Sequence, residues 1–233
     1  MKYLVFVCVV LILSCSTKVK PRKEHLARLE HIKGMEDFTF LDNLSDEERL
    51  AIKPLLQLYY KDQMYRDGKN YEYYKANKEK QDSLDAENQK VVSVFLDSAG
   101  YPSKSEIGYL AVHNFALVLE HAPLNFKEKY ANLMYNALLK GDLLPSNYAI
   151  FIDKILIKKK QFQKYGTQVM YQRKSYTLYP VNLATVTERR KEINMLETLE
   201  YYLVKNFKIK LDSAAYMKQL PSLMAKYKID TTK

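Results

Sequence analysis

The sequence predicts a mainly α fold, a single multi-helix domain with one small β-hairpin near Gly166–Pro180. Three observations predict it. Apolar residues recur at three- and four-residue spacing along most of the chain, which is the signature of amphipathic helices. Ser45-Asp46-Glu47-Glu48 and Ser103-Lys104-Ser105-Glu106 are capping boxes, in which hydroxyl and carboxylate each satisfy an orphan amide at a helix start. One stretch alone, GTQVMYQRKSYTLYP from Gly166 to Pro180, carries Thr, Val and Tyr around a polar centre in the manner of a hairpin.

The elements follow in order. Glu24–Lys33 places Leu26, Leu29 and Ile32 on one helical face and ends at Gly34. The helix opened by Ser45 meets Pro54, which should kink or split it, and a second runs from Leu55 to Arg66, stopping near Gly68. Lys69–Gln81 reads as a loop and helix start, Ser83–Ala99 as a helix stopped by Gly100. The stretch from Ser103 to Glu120 is apolar nearly all round, as a buried central helix is. Asn125 caps a helix ending at Lys140, and Pro145 sits in the first turn of another reaching Lys159. After the hairpin, Thr185 opens one long helix to about Val204. The remainder is a tail with a weak helix at Ser213–Leu220.

The N-terminus has its own logic. Lys2 precedes an unbroken apolar run, Leu4–Leu13, which is shorter than the ~20 residues a membrane span needs. It fits the h-region of a signal peptide. Ile12-Leu13-Ser14-Cys15 then resembles the lipobox of bacterial lipoproteins. That resemblance implies cleavage before Cys15 and its acylation, palmitate included, giving firm membrane attachment by several acyl chains. The expected organisation is residues 1–14 as cleaved signal peptide, 15–23 as lipidated tether, 24–205 as the helical domain and 206–233 as the C-terminal tail. The expected location is the cell envelope, at the outer membrane and facing the periplasm.

The chain has 2 cysteines, Cys8 and Cys15. One leaves with the signal and the other takes the lipid. The mature domain therefore has no disulfide, no cysteine nucleophile and no thiolate metal site. The formal charge is +10, from 37 basic and 27 acidic residues. In an exported protein, anionic lipid or cell-wall polymer is a more natural counter-charge than nucleic acid, and solvated Lys-rich faces explain the same charge. Of 20 tyrosines most stand at helical spacing beside Leu and Ile, where packing is the default role. The sequence shows no repeat, P-loop, dinucleotide-binding glycine pattern or nucleophile elbow.

Several fragments depart from generic helix: Asp62-Gln63-x-x-Arg66, Gly100-Tyr101-Pro102 with Gly108, Glu120-His121-Ala122, Asp153-Lys154, Gln163-x-Tyr165-Gly166-Thr167-Gln168, and Arg189-Arg190. In this order, across Leu44–Tyr202, they resemble an uncharacterised bacterial family, the domain of unknown function 6624. Its Q-H-A-D is Glu120-His121-Ala122-Pro123 here, so the acid after the histidine is missing, and its D-R is Asp153-Lys154. The family supplies no activity to carry over.

His121 ends an apolar helix beside the break at Pro123, where the helix terminus favours an imidazolium. It reads either as a functional group or as a cap on its own helix. His113 lies two turns earlier and off its face, so a shared metal is not expected; His25 and His31 read as surface residues near the tether. Gln163, Tyr165, Thr167 and Gln168 flank Gly166, whose freedom suits positive φ or a close ligand. The amides either read a sugar or peptide or satisfy buried backbone. Arg189 and Arg190 fall in the first turn of the predicted helix, the unfavourable end for cations. They therefore imply a carboxylate partner such as Asp62 or Asp153, or a bound anion. Asp62 with Arg66 also reads as an ordinary i, i+4 pair. Asp62, His121, Gln163, Gln168 and Arg190 are expected to gather beside the hairpin.

The functional expectation is an envelope lipoprotein that acts as a binding or structural module, with a polar pocket for a small polar or anionic ligand or a peptide. The alternative is a hydrolase acting on an envelope polymer, with His121 as general acid or base and Arg190 as electrostatic stabiliser. No cofactor and no nucleic acid is expected; the membrane is the expected partner, through Cys15.

Overall fold

Periodic helices separated by Gly, Pro and Asx signals fold here as a mainly α architecture with one antiparallel hairpin. The computed structural model describes residues 57–66, 71–172 and 175–229. Cys15, the helix read at Glu24–Lys33, the capping box at Ser45–Glu48, Pro54 and Gly68 lie outside the described residues, as do Arg173 and Lys174 between the strands. The chain divides into two units, the first ending at Ala122 and the second beginning at Pro123. Each is taken by itself.

In the first unit, helix α1 is described over 57–63. It is followed by α2 (Tyr71–Ala76), α3 (Lys78–Ala99) and α4 (Lys104–His121). Of the stretch read as loop and helix start, the described part from Tyr71 is helical but for a turn at Asn77, and α3 starts five residues before Ser83. Its buried face explains why: Gln81, Leu84, Asn88, Val91, Val92 and Phe95 repeat at three- and four-residue spacing, and Gln81 continues that face one turn upstream with a polar side chain. A hydropathy reading stops where the face becomes polar. Gly100 ends α3 at φ 83°, its N–H bonded to Leu96 O. Helix α4 buries Val112, Phe115, Ala116, Val118 and Leu119, and Phe115 packs edge-on against Phe95 with centroids 5.1 Å apart.

The second unit holds α5 (Leu124–Leu139), α6 (Pro145–Lys158), β1 (Val169–Gln172), β2 (Ser175–Leu178), α7 (Leu183–Glu192), α8 (Leu199–Phe207) and α9 (Ser213–Tyr227). Helix α5 starts at Leu124 behind Pro123, with no side-chain cap, so Asn125 lies inside its first turn. The hairpin pairs Val169 with Leu178 and Tyr171 with Tyr176. Around it, Leu178, Val181, Val186, Leu199, Leu203 and Tyr216 form one buried apolar cluster.

Two further sequence expectations fail in this unit. The long helix to Val204 is two helices. α7 is capped by Asn182 rather than opened at Thr185, and α8 is capped by Thr198, whose hydroxyl accepts from Tyr201 N. Arg189 and Arg190 therefore stand in the last turn of α7, the end that favours cations. The tail helix also runs on through Pro221 to Tyr227. A proline disfavours helix for the residue before it, but Tyr216 is buried in the apolar cluster, and Leu220 and Leu223 pack against it on either side of Pro221. Tertiary burial outweighs the local preference.

Candidate functional site

In the first unit the polar face of α1 meets α3. Leu58 O accepts from Asn88 Nδ2 at 3.0 Å, and Lys61 pairs with Glu87 at 2.9 Å. Gln81 donates to Lys61 O at 3.0 Å and to Asp85 Oδ1 at 2.7 Å, and accepts from Tyr65 N at 2.8 Å. The Arg66 guanidinium engages both oxygens of Asp85, the Asp62 carbonyl and, at 3.3 Å, Asp62 Oδ1. Burial alone would lower its pKa; the hydrogen bond to Asp85 and the charges of Asp62 and Asp85 reverse that and raise it.

Asp62 is the centre of this cluster. It is 1 % exposed, yet both its oxygens lie 2.9 Å from His121 Nδ1 at the end of α4. Gln63 Nε2 adds a third hydrogen bond at 2.6 Å. The His121 side chain is 23 % exposed, so the ring reaches the surface while its partner does not. The carboxylate that holds His121 comes from 59 positions upstream in the chain. It holds the ring by Nδ1, which fixes tautomer and orientation. Asp62, Gln63, Arg66 and His121 come together here, as an arrangement able to bind a polar group or move a proton.

The second unit collects the remaining candidates in a different manner. Asp153, fully buried on α6, accepts four hydrogen bonds from the segment after that helix. Oδ1 takes Lys164 N at 2.8 Å and Tyr165 N at 3.0 Å; Oδ2 takes Thr167 N and Thr167 Oγ1, both at 2.8 Å. Burial pushes the Asp153 pKa up, and these four donors oppose it. Gln163, also fully buried, donates to Gln168 O and Tyr179 O, and accepts from Gln168 N at 2.6 Å. Gln168 Nε2 closes the knot on Thr167 Oγ1 at 3.1 Å.

Gly166 holds φ +70°, and a Cβ built there would meet Leu199 Cδ1 at 2.7 Å. The close approach that the glycine permits is made by α8. Arg190 is 1 % exposed and, among the described residues, bonds to no carboxylate. Its guanidinium donates to Tyr165 O at 2.7 Å, Glu197 O at 2.8 Å and Thr198 O at 3.4 Å, above the Tyr202 ring. The expected acidic partner is thus replaced by three backbone carbonyls, of which Thr198 O also accepts from Tyr202 N at the start of α8. Burial lowers the Arg190 pKa. Arg189 is half-buried beside it.

No family model, curated protein or solved structure matches the chain. The chemistry of the two clusters follows from which atoms donate to which. In the second unit, the Gln163 amide, the Asp153 carboxylate and the Arg190 guanidinium are engaged with the chain's own backbone. In the first, a surface-reaching imidazole rests on a buried carboxylate. Among the described residues no group of three His, Cys, Asp or Glu gathers to hold a metal ion.

Gln81, Asp85 and Asp153's loop-binding role were not anticipated from sequence. Gln81, Asp85 and Asn88 fall at i, i+4 and i+7 on α3, a polar stripe through an otherwise apolar face. That stripe was the available signal.

Proposed function

We propose that this chain is a lipid-anchored protein of the cell envelope whose first unit binds a small polar or anionic ligand at His121. The Asp62–His121 pair carries the reading. Burying a carboxylate is costly unless it is paired, and here one of the two partners of Asp62, beside Arg66 at 3.3 Å, is a ring that reaches solvent. A purely structural role for the pair would need no exposure of the histidine. The ligand class follows from the groups at hand: the imidazole, the Gln63 amide and the Arg66 guanidinium offer donors to an oxygen-rich group. The anchoring reading rests on the lipobox-like Ser14-Cys15 step.

A second reading is favoured by the same contact. A carboxylate-held imidazole is also the arrangement for general acid–base catalysis, which would make the protein a hydrolase of an envelope polymer.

The test is a thermal-shift measurement with inorganic phosphate, a dipeptide and an amino sugar on wild type, His121→Ala and Gln63→Ala. One or more of these probes should raise the wild-type melting temperature and leave His121→Ala unmoved. Equal shifts in wild type and His121→Ala, or none with any probe, would sink the ligand-binding reading. Release of soluble fragments from purified cell wall by wild type but not His121→Ala would select the catalytic reading.

A further inference from the structure

The net charge of this protein belongs to its second unit. Residues 123–233 hold 20 Lys and Arg against 9 Asp and Glu, a net +11, whereas residues 1–122 hold 17 against 18, a net −1. Solvation of Lys-rich faces explains a basic protein; it does not explain why one unit takes all of the excess.

That unit also exposes aromatic and aliphatic side chains on the hairpin and on α8. Tyr171 and Tyr176 face each other across the hairpin and are 64 % and 45 % exposed, with rings 5.0 Å apart. Tyr176 continues onto Phe207 at the end of α8, at 5.8 Å. On α8, Tyr201 (58 % exposed), Val204 (48 %) and Lys205 fall at i, i+3 and i+4, which is one helical face. Lys205 lies 5.7 Å from the Tyr201 ring and pairs with Glu197 at 2.6 Å, while the exposed Lys208 and Lys210 follow the helix end. Amphipathic rings and long basic side chains together match a membrane–water boundary: the rings sit at headgroup depth and the lysines meet anionic phosphates.

We infer that the hairpin and α8 form a docking surface for an anionic phospholipid bilayer, steered there by the +11 charge of the second unit. The occupant is a lipid surface rather than a protein because lysines border the tyrosines, whereas protein interfaces are depleted of lysine. The inference does not depend on the ligand site at His121.

The chain contains no tryptophan, so Tyr171→Trp in the full-length protein makes a single reporter on this face. Its emission should shift to the blue, and brominated lipids should quench it, on vesicles of phosphatidylglycerol with phosphatidylcholine. Pure phosphatidylcholine should give little shift, even where the N-terminus attaches the chain to both. Adding Lys205→Gln and Lys208→Gln should weaken the anionic-vesicle response by roughly tenfold, with the circular dichroism spectrum unchanged, and 0.5 M salt should weaken it similarly. Four results would overturn the inference: no shift on anionic vesicles, the same shift on neutral ones, a response indifferent to both lysines, or a response to soluble dextran sulfate alone. The last would mark the surface as a site for an anionic polymer. Anchoring at Cys15 is judged separately, by fractionation of Cys15→Ala.

Discussion

Asp153 Oδ2 receives two hydrogen bonds from one residue, Thr167, through its backbone N–H and its hydroxyl, each at 2.8 Å. With Lys164 N and Tyr165 N on the other oxygen, this carboxylate takes the place of secondary structure for the segment leading into β1. Asp153→Asn presents an NH₂ group to donors and strands at least one of them. It should destabilise the protein by about 3 kcal/mol, and Thr167→Ala by about 1–2 kcal/mol. Urea unfolding of the two variants checks this; equal, sub-kilocalorie effects would mean that the knot is not what holds the segment.

Gly166 has two reasons to be glycine, its φ of +70° and the 2.7 Å approach of Leu199 Cδ1 to a built Cβ. Gly166→Ala should therefore cost about 2–3 kcal/mol. Adding Leu199→Val should recover only the steric share, leaving the ~1 kcal/mol of backbone strain. A double-mutant cycle with no coupling between the two positions would show that the clash is relieved some other way.

Asp62 and His121 should respond unequally to truncation. Asp62→Ala removes the carboxylate that holds the Gln63 amide and the His121 ring and one of the two that face Arg66, and should cost about 3 kcal/mol. His121→Ala removes a ring that is 23 % exposed and should cost about 1 kcal/mol. The reverse order in chemical unfolding would mean that His121 is the structural member of the pair.

Alkali should unfold the second unit early. Burial raises the phenol pKa of Tyr148, Tyr165, Tyr179 and Tyr216 above the ordinary 10, that of Tyr216 to about 12. In the unfolded chain these phenols ionise near pH 10, while in the folded unit they keep their protons. The unfolded state therefore binds fewer protons in this window, so stability falls as pH rises from 10 through about 12. For Tyr216, 6 % exposed and bonded to Val181 N, the shift amounts to roughly 2–3 kcal/mol over the window. Tyr216→Phe should lose some stability at neutral pH and show a shallower decline above pH 10. An unchanged slope in denaturation curves at pH 9, 10 and 11 would contradict this.

The anchor is tested in cells. Wild type should fractionate with membranes and carry labelled lipid, and Cys15→Ala should lose the label. A variant lacking residues 1–14 with Cys15→Ala that stays on membranes and responds to the vesicle assay above would place the attachment in the second unit.

The sequence by itself determined the helices whose apolar face is continuous, the hairpin, and the stop at Gly100, because these depend on periodicity and on φ preferences within a few residues. It also singled out Asp62, His121, Gln163, Gly166, Thr167 and Arg190 as unlike their surroundings. It did not determine the partner of any of them. The start of α3 at Lys78 and the passage of α9 through Pro221 depend on burial against other segments, which outweighs local preference. Only the tertiary structure decided that Arg190 serves three carbonyls, that Gly166 makes room for Leu199, and that Asp62 supplies the carboxylate for His121. A buried charge must be paired wherever the fold brings donors and acceptors together, and that meeting, 59 residues apart in the case of Asp62 and His121, is set by helix packing rather than by neighbours in the chain.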